Sequence, residues 1–235
     1  MDMMKKTLVE GLPRLGLELS EQTADTLCAF GAAVVEQNKV MNLTAITEPD
    51  QVAKLHLLDC LSILAVKDLK GKKMVDVGCG AGFPGVPVAI ACPDAKVTLL
   101  DSLAKRMNWL ETVLPQIGVK NAECITARAE EAVATRRESY DYATSRAVAR
   151  LNILLELTAP YVKVGGKVLA LKGAAAKEEL EEAKSAISKL GLKLEEVREF
   201  PVDDGTSHAV IVLRKVAATP AKYPRRFAKI KQNPL

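Results

Sequence analysis

The chain has 235 residues, of which 49 % are hydrophobic and 26 % charged, with a net charge of +4. This suits one large domain with a buried core, alone or with a small appendage. It argues against a disordered, collagen-like or disulfide-scaffold protein.

Residues 1–70 read as helical. Ser20, with Thr23 and Asp25 behind it, can open a long helix whose apolar stripe is Leu27, Phe30, Val34 and Val35. Asn42-Leu43-Thr44 and Pro49 mark a break, and a second stripe follows through Val52, Leu55, Leu58, Leu61 and Leu64–Ala65. From Lys72 onward short apolar runs alternate with amphipathic stretches. Seven strands are predicted: Met74–Val77, Val97–Leu100, Ala122–Thr126, Tyr140–Thr144, Lys167–Leu171, Leu194–Phe200 and Ala209–Leu213. Helix-length segments, among them Leu103–Ile117 and Leu151–Val162, separate the first five, which predicts a mostly parallel sheet covered on both faces. The turn signal Val202-Asp203-Asp204-Gly205 predicts that the last two strands pair antiparallel. No run of about 18 apolar residues offers a membrane span, and MDMMKKTLVEGLPRLG lacks the apolar stretch of a secretory signal. The five cysteines (Cys28, Cys60, Cys79, Cys92 and Cys124) are odd in number and contain no C-x-x-C pair. Neither a disulfide framework nor a metal site is expected, and a reducing cytoplasm is.

The sharpest motif is Val75-Asp76-Val77-Gly78-Cys79-Gly80-Ala81-Gly82-Phe83-Pro84-Gly85, a strand ending in an acid and then a glycine-rich turn. Glycine lets backbone turn tightly and lets a ligand lie directly against it. Gly80-x-Gly82-x-x-Gly85 also fits the dinucleotide fingerprint, and a tight turn without a ligand is a further reading. The second strand ends at Leu99-Leu100-Asp101, where a carboxylate can accept both hydroxyl hydrogens of a ribose or, alternatively, cap the next helix. Asp101 therefore points to adenosine without distinguishing a nicotinamide dinucleotide from S-adenosylmethionine. The spacing Asp76-x-Gly78-x-Gly80-x-Gly82 and the terminal antiparallel pair favour the latter.

Here the chain resembles the RsmG (GidB) family, which methylates N7 of a guanine in small-subunit ribosomal RNA. The resemblance runs over nearly the whole chain. It rests on Asn42-Leu43-Thr44-Ala45-Ile46, His56-x-x-Asp59, the glycine motif, Leu99-Leu100-Asp101-Ser102-Leu103-x-Lys105-Arg106, Arg128-Ala129-Glu130, Ser145-Arg146-Ala147-Val148-Ala149, Leu171-Lys172-Gly173 and Tyr223-Pro224-Arg225-Arg226. Cys79 stands where the family usually has Ser or Thr, and the tail from Phe227 departs from the commoner glycine- and proline-containing form. The resemblance implies a class I S-adenosylmethionine-dependent methyltransferase, an α/β Rossmann-like seven-stranded sheet whose last strand is antiparallel. It implies a helical N-terminal cap over 1–70, a methyltransferase domain over 71–215 and a basic tail over 216–235. The implied target is the guanine at position 527 of 16S ribosomal RNA, met as free RNA or within the small ribosomal subunit, with a monomer as the default.

By the same resemblance Gly78, Gly80, Phe83 and Asp101 bind S-adenosylmethionine, Ala129 and Glu130 lie near its adenine, and Arg146 faces the cofactor or the RNA. An ion pair of purely structural importance is the plainer reading of Arg146. Seven of the 33 basic residues lie from Arg214 onward with no acid among them, which leaves 26 basic against 29 acidic side chains in the remainder. Arg225, Arg226, Lys229 and Lys231 are the candidate phosphate contacts, with Tyr223 and Phe227 placed to stack on a base and Lys105 and Arg106 flanking the approach. No catalytic base is needed, because guanine N7 carries a lone pair and no proton. His56 and Asp59, at i and i+3, are expected to form a hydrogen-bonded structural pair, and His208 is expected to be structural. Trp109 is expected in the core, Glu178–Glu182 on a solvated helix face, and Cys92 is not expected to be a nucleophile. Competing functions are a non-catalytic RNA-binding ribosome-assembly factor, a methyltransferase for a small molecule or protein, and a nicotinamide-dependent oxidoreductase.

Overall fold

The computed structural model describes residues 2–201 and 207–235. Ser20 caps the first long helix as expected: its Oγ accepts from the Thr23 N–H at 3.2 Å. The helices at this end are α1 (Asp2–Leu15), α2 (Glu21–Met41), α3 (Pro49–Val52) and α4 (Asp59–Val66), the last two joined by a π-helical stretch, Ala53–Leu58. Helix α2 stops at Asn42, which adopts a left-handed φ of 50°. The Asn38 side chain then takes the N–H groups of Leu43 (2.6 Å) and Thr44 (2.9 Å), so the chain turns toward Pro49 without leaving these donors unpaired.

All seven expected strands form: β1 (Lys73–Val77), β2 (Lys96–Asp101), β3 (Ala122–Thr126), β4 (Tyr140–Arg146), β5 (Val162–Lys172), β6 (Leu192–Pro201) and β7 (Ser207–Lys215). They lie in the order β3-β2-β1-β4-β5-β7-β6. Strands β1 to β5 pair in parallel, whereas β7 runs antiparallel to both β5 and β6. The turn signal Val202-Asp203-Asp204-Gly205 lies outside the described residues. The remaining helices are α5 (Gly85–Ala91), α6 (Ala104–Gln116), α7 (Ala129–Arg136), α8 (Leu151–Thr158), α9 (Ala176–Glu182), α10 (Lys184–Lys189) and α11 (Phe227–Gln232).

Side chains alternate across the sheet, so each strand feeds two cores. Met74, Leu99, Leu169, Leu171 and Val212 join α1, α2, α5 and α6 on one face. Val75, Leu100, Val168, Ala170 and Ile211 join α8, α10 and the C-terminal residues Tyr223 and Ile230 on the other. Both faces are covered, as a parallel sheet requires. Two boundaries differ most from expectation, while β4, β6 and β7 run only one or two residues past their predicted ends. Helix α8 stops at Thr158, since Pro160 supplies no N–H and a 3₁₀ turn replaces the last helical turn. Strand β5 starts five residues early and runs through Gly165–Gly166, where backbone comes so close that a Cβ on Gly166 would sit 2.5 Å from the Asp141 carbonyl oxygen. Among the described residues no helix is long and apolar enough to cross a membrane.

Candidate active site

The chain order reverses at β1, which lies between β2 and β4. In open α/β sheets ligands sit beyond the carboxyl ends of the strands at such a point. A cleft of ≈ 590 Å³ opens there, and Gly78, Gly80, Phe83, Asp101, Ala129, Glu130 and Arg146 all line it. The glycine turn is pinned to the next strand, since the N–H groups of Gly78 and Cys79 both donate to the Leu100 carbonyl, at 2.7 and 3.1 Å. Gly80 has a φ of +58°, and a Cβ there would meet nothing nearer than Arg106 Nη1 at 3.8 Å. Its bare backbone therefore faces open cleft. Asp101 holds the turn in place through both carboxylate oxygens: Oδ2 accepts from the Gly80 N–H and Oδ1 from the Leu103 N–H, each at 2.9 Å. Each oxygen keeps lone-pair capacity for a further donor.

Asp76 is wholly buried. Its Oδ2 accepts from the Gly85 N–H at 2.7 Å, while Oδ1 has no partner. Burial pushes its pKa up to about 7 against the smaller opposing pull of that N–H.

Arg146 is the centre of a buried polar cluster drawn from four parts of the chain. Its Nη1 donates to Asp59 Oδ2 (3.0 Å) and to the Leu55 carbonyl (2.9 Å), and its Nη2 donates to His56 Nδ1 (3.1 Å). His208 Nδ1 donates to the other oxygen of Asp59 at 2.9 Å. The expected direct pairing of His56 with Asp59 is thus corrected: the guanidinium stands between them and claims both. The same Nδ1 also lies 3.1 Å from the Leu55 carbonyl oxygen, and Nε2 is hydrogen-bonded to Thr44 Oγ1 at 2.8 Å. The π-helical stretch puts Leu55, His56 and the following Asp59 on the side of Arg146, a local irregularity of the kind that recurs at functional sites. The Phe83 ring is covered by His56, stacked at 4.7 Å, and by the Arg146 guanidinium at 4.9 Å, with Phe30 at its edge.

Burial and the neighbouring Arg146 lower the pKa of His56 to about 4. The folded state therefore prefers neutral His56, whose stabilising effect is complete above the unfolded pKa near 6.5 and is lost as pH falls toward 4. The stability difference between the parent chain and a His56→Gln variant is expected to shrink across that window by about 1.4 kcal/mol per pH unit. Urea titrations of both proteins from pH 7 to pH 4 check this; a pH-independent difference would contradict it.

The C-terminal segment lies against the β3 end of the cleft. Arg225 makes a bidentate pair with the fully buried Glu156, with Nη2–Oε2 at 2.6 Å and Nε–Oε1 at 2.8 Å. The Phe227 N–H donates to Glu130 Oε1 at 3.3 Å, and Phe227 also lines the cleft. Arg226, Lys229 and Lys231 are exposed. Tyr223, expected to be available to a base, is buried at 7 % exposure against the second core, which corrects that expectation. Glu178, Glu181 and Glu182 lie on an exposed helix face as expected, where Glu178 and Glu182 pair with Arg150; Glu179 instead turns inward and holds Lys172 and the Leu151 N–H. Trp109 stacks on Phe30 at 6.5 Å beside the first core, and Cys92 is only part-buried, with its pKa raised by desolvation.

The model of the family GidB, rRNA small subunit methyltransferase G, matches residues 23–207. The chain belongs to the GidB family. Ribosomal RNA small subunit methyltransferase G of Clostridium perfringens strain 13 is 41 % identical over 239 residues, covering 100 % of this chain and 98 % of that one. The protein of the same name from Alkaliphilus metalliredigens is 42 % identical over 236 residues, covering 98 % of each. Among solved structures, a SAM-dependent methyltransferase from Aquifex aeolicus aligns with a TM-score of 0.53 at 18 % identity, covering 71 % of this chain and 93 % of that one. That likeness reports the class I methyltransferase fold.

The cofactor of the GidB family is S-adenosylmethionine, and the cleft fits it. Asp101 lines it with carboxylate lone pairs left over that hydroxyl groups such as those of a ribose could use, and Gly80 leaves a cradle that a side chain would fill. The N–H groups of Ala129 and Glu130, which open α7, have no acceptor one turn back. Residues that sequence reasoning gave no cofactor role also line the cleft: Thr44, Arg128, Val148, Leu157 and Phe227. Thr44, Arg128 and Val148 lie within the family motifs, but Leu157 and Phe227 reach the cleft only through tertiary packing.

Proposed function

We propose that this GidB-family chain transfers a methyl group from S-adenosylmethionine to N7 of a guanine in 16S ribosomal RNA, the nucleotide at position 527, acting as a cytoplasmic monomer on the RNA or the small subunit. The observation that carries the reading is the 41 % identity over the full chain to a ribosomal RNA small subunit methyltransferase. In this reading residues 1–70 cap the cleft, 71–215 carry the sheet and cofactor site, and 216–235 form the basic tail.

When bound, S-adenosylmethionine supplies a methyl group activated by its sulfonium. The work of the chain is positional. Gly78, Gly80 and Asp101 hold the nucleoside part, Ala129 and Glu130 border the adenine, and Phe83 with Arg146 walls the reacting end. Guanine N7 has a lone pair and no proton to lose, so no side chain need act as a base. The ionisable groups facing that end suit this: His56 is neutral near pH 7, and Arg146 is held by Asp59. Alignment alone can lower such a barrier by roughly 7–11 kcal/mol.

Of the four basic tail residues, Arg226, Lys229 and Lys231 are the ones we assign to RNA phosphates, while Arg225 serves by seating the tail on Glu156. A Lys229→Ala/Lys231→Ala variant is expected to bind ribosomal RNA more weakly and to flatten the salt dependence by about 0.7–0.9 for each phosphate no longer neutralised, with unchanged affinity for cofactor. Filter binding across a salt series reads this; an unaltered slope would remove these lysines from the interface. The function itself is tested with radiolabelled S-adenosylmethionine and small subunits lacking the modification, followed by digestion to nucleosides. Label in 7-methylguanosine is the expected result. No label, with cofactor binding intact, would overturn it in favour of another substrate or a non-catalytic RNA factor.

A further inference from the structure

We infer that Phe227 is a cofactor-contact residue: its ring closes the adenine end of the cleft and ties the basic tail to cofactor occupancy. The inference rests on S-adenosylmethionine binding in this cleft. Strand order sets the direction in which the cofactor lies. Arg146 ends β4 on one side, Asp101 ends β2, and Ala129–Glu130 follow β3 on the other side. With the ribose at Asp101 and the methionine part toward Arg146, the adenine falls at the β3 end. There Phe227 lines the cleft and is part-buried against the second core, whose members at this end include Ala127 and Ala129.

Adenine presents flat apolar faces that favour an aromatic partner. The cleft offers two phenylalanine rings, Phe83 and Phe227. Phe83 is already engaged by His56, Arg146 and Phe30. Among the described residues, no ring or cation contact involves Phe227. Its backbone is nevertheless fixed, by the Glu130 carboxylate on its N–H and by the Arg225–Glu156 pair two residues earlier. A held backbone with a part-buried ring that has no aromatic or cationic partner among the described residues, at the adenine end, is the arrangement a stacking residue needs. Lys229 and Lys231 lie on the same helix, α11, so binding at the cleft and on the tail act on one rigid element.

The test titrates S-adenosylhomocysteine into the full-length parent, Phe227→Ala and Phe227→Tyr by calorimetry. The alanine variant is expected to lose about tenfold or more in affinity, and the tyrosine variant to stay within about twofold of the parent. A Phe227→Trp variant supplies a second readout, because the chain has one tryptophan, Trp109. Its emission is expected to change on adding S-adenosylhomocysteine beyond the change seen in the parent. Equal affinity of parent and Phe227→Ala overturns the inference. So does lost affinity without an emission response, which would mean that the ring serves only to seat the tail. Failure of the parent itself to bind S-adenosylhomocysteine would instead overturn the cofactor site, and the inference with it.

Discussion

Replacing Asp101 by alanine is expected to lower affinity for S-adenosylmethionine at least about a hundredfold, the largest single loss in the cleft. The size follows from a double duty. In the proposed site the carboxylate accepts from ribose hydroxyls, and hydrogen bonds to a charged group contribute about 1.5–3 kcal/mol each. It also fixes the cradle, because its two oxygens hold the N–H groups of Gly80 and Leu103. Alanine removes the ligand contacts and releases the loop that lies beneath the ligand. Asparagine is expected to do little better, since its amide nitrogen would face one backbone N–H with a second donor. Calorimetry with S-adenosylhomocysteine measures the loss, and amide exchange at Gly80 distinguishes a loosened loop from a missing acceptor. An Asp101→Ala protein that binds within tenfold of the parent would show that the ribose lies elsewhere.

The second large effect falls on stability. Asp59 is buried, and although burial opposes its charge, His208 and Arg146 outweigh it and hold its pKa below the ordinary carboxylate range. Arg146 is itself buried enough that its guanidinium depends on this partner; their side chains are 16 % and 8 % exposed. Removing one member of a buried pair leaves the other charged without compensation, at a cost of about 3–5 kcal/mol. Asp59→Ala is therefore expected to lower Tm by about 6–20 °C, given roughly 2–4 °C per kcal/mol for a chain of this size. Thermal and urea unfolding followed by circular dichroism test it. Arg146→Met in the Asp59→Ala background is expected to recover part of the loss, because the stranded charge goes with it. A shift under about 2 °C for Asp59→Ala alone, less than one kcal/mol on the same scale, would mean that water or another group replaces the carboxylate.

Much of the fold can be read locally because its strands carry their own signal. Val75, Leu100, Val168 and Ile211 alternate with residues of the opposite core, and that period survives in the sequence without knowledge of any partner. Helix ends governed by a nearby residue are equally legible, as at Ser20, whereas Pro160 sits inside an apolar run that conceals its effect. The glycine turn and Asp101 can be picked out for the same reason: the turn, its strand and its acid are contiguous or separated by one βα unit. What cannot be read is pairing across long separations. Arg225 counts as a free charge in any tally of the tail, yet its partner Glu156 lies 69 positions away in a mostly apolar helix. His56 and Asp59 share a helical face, but only the arrival of Arg146 from β4 decides how they relate. The place of Phe227 in the cleft depends in turn on Glu130 and Glu156 having drawn the tail in.

The position of β7 between β5 and β6 has a consequence for the newly made chain. Strand β6 pairs with β7 and lies at the sheet's edge, so it is synthesised before the strand that attaches it. A chain cut short after residue 201 presents the open edge of β5 and an unattached β6, two backbone templates for pairing with other chains. Premature termination in the last stretch of translation would therefore yield an aggregation-prone product, which cellular proteolysis would have to clear, rather than a shortened enzyme.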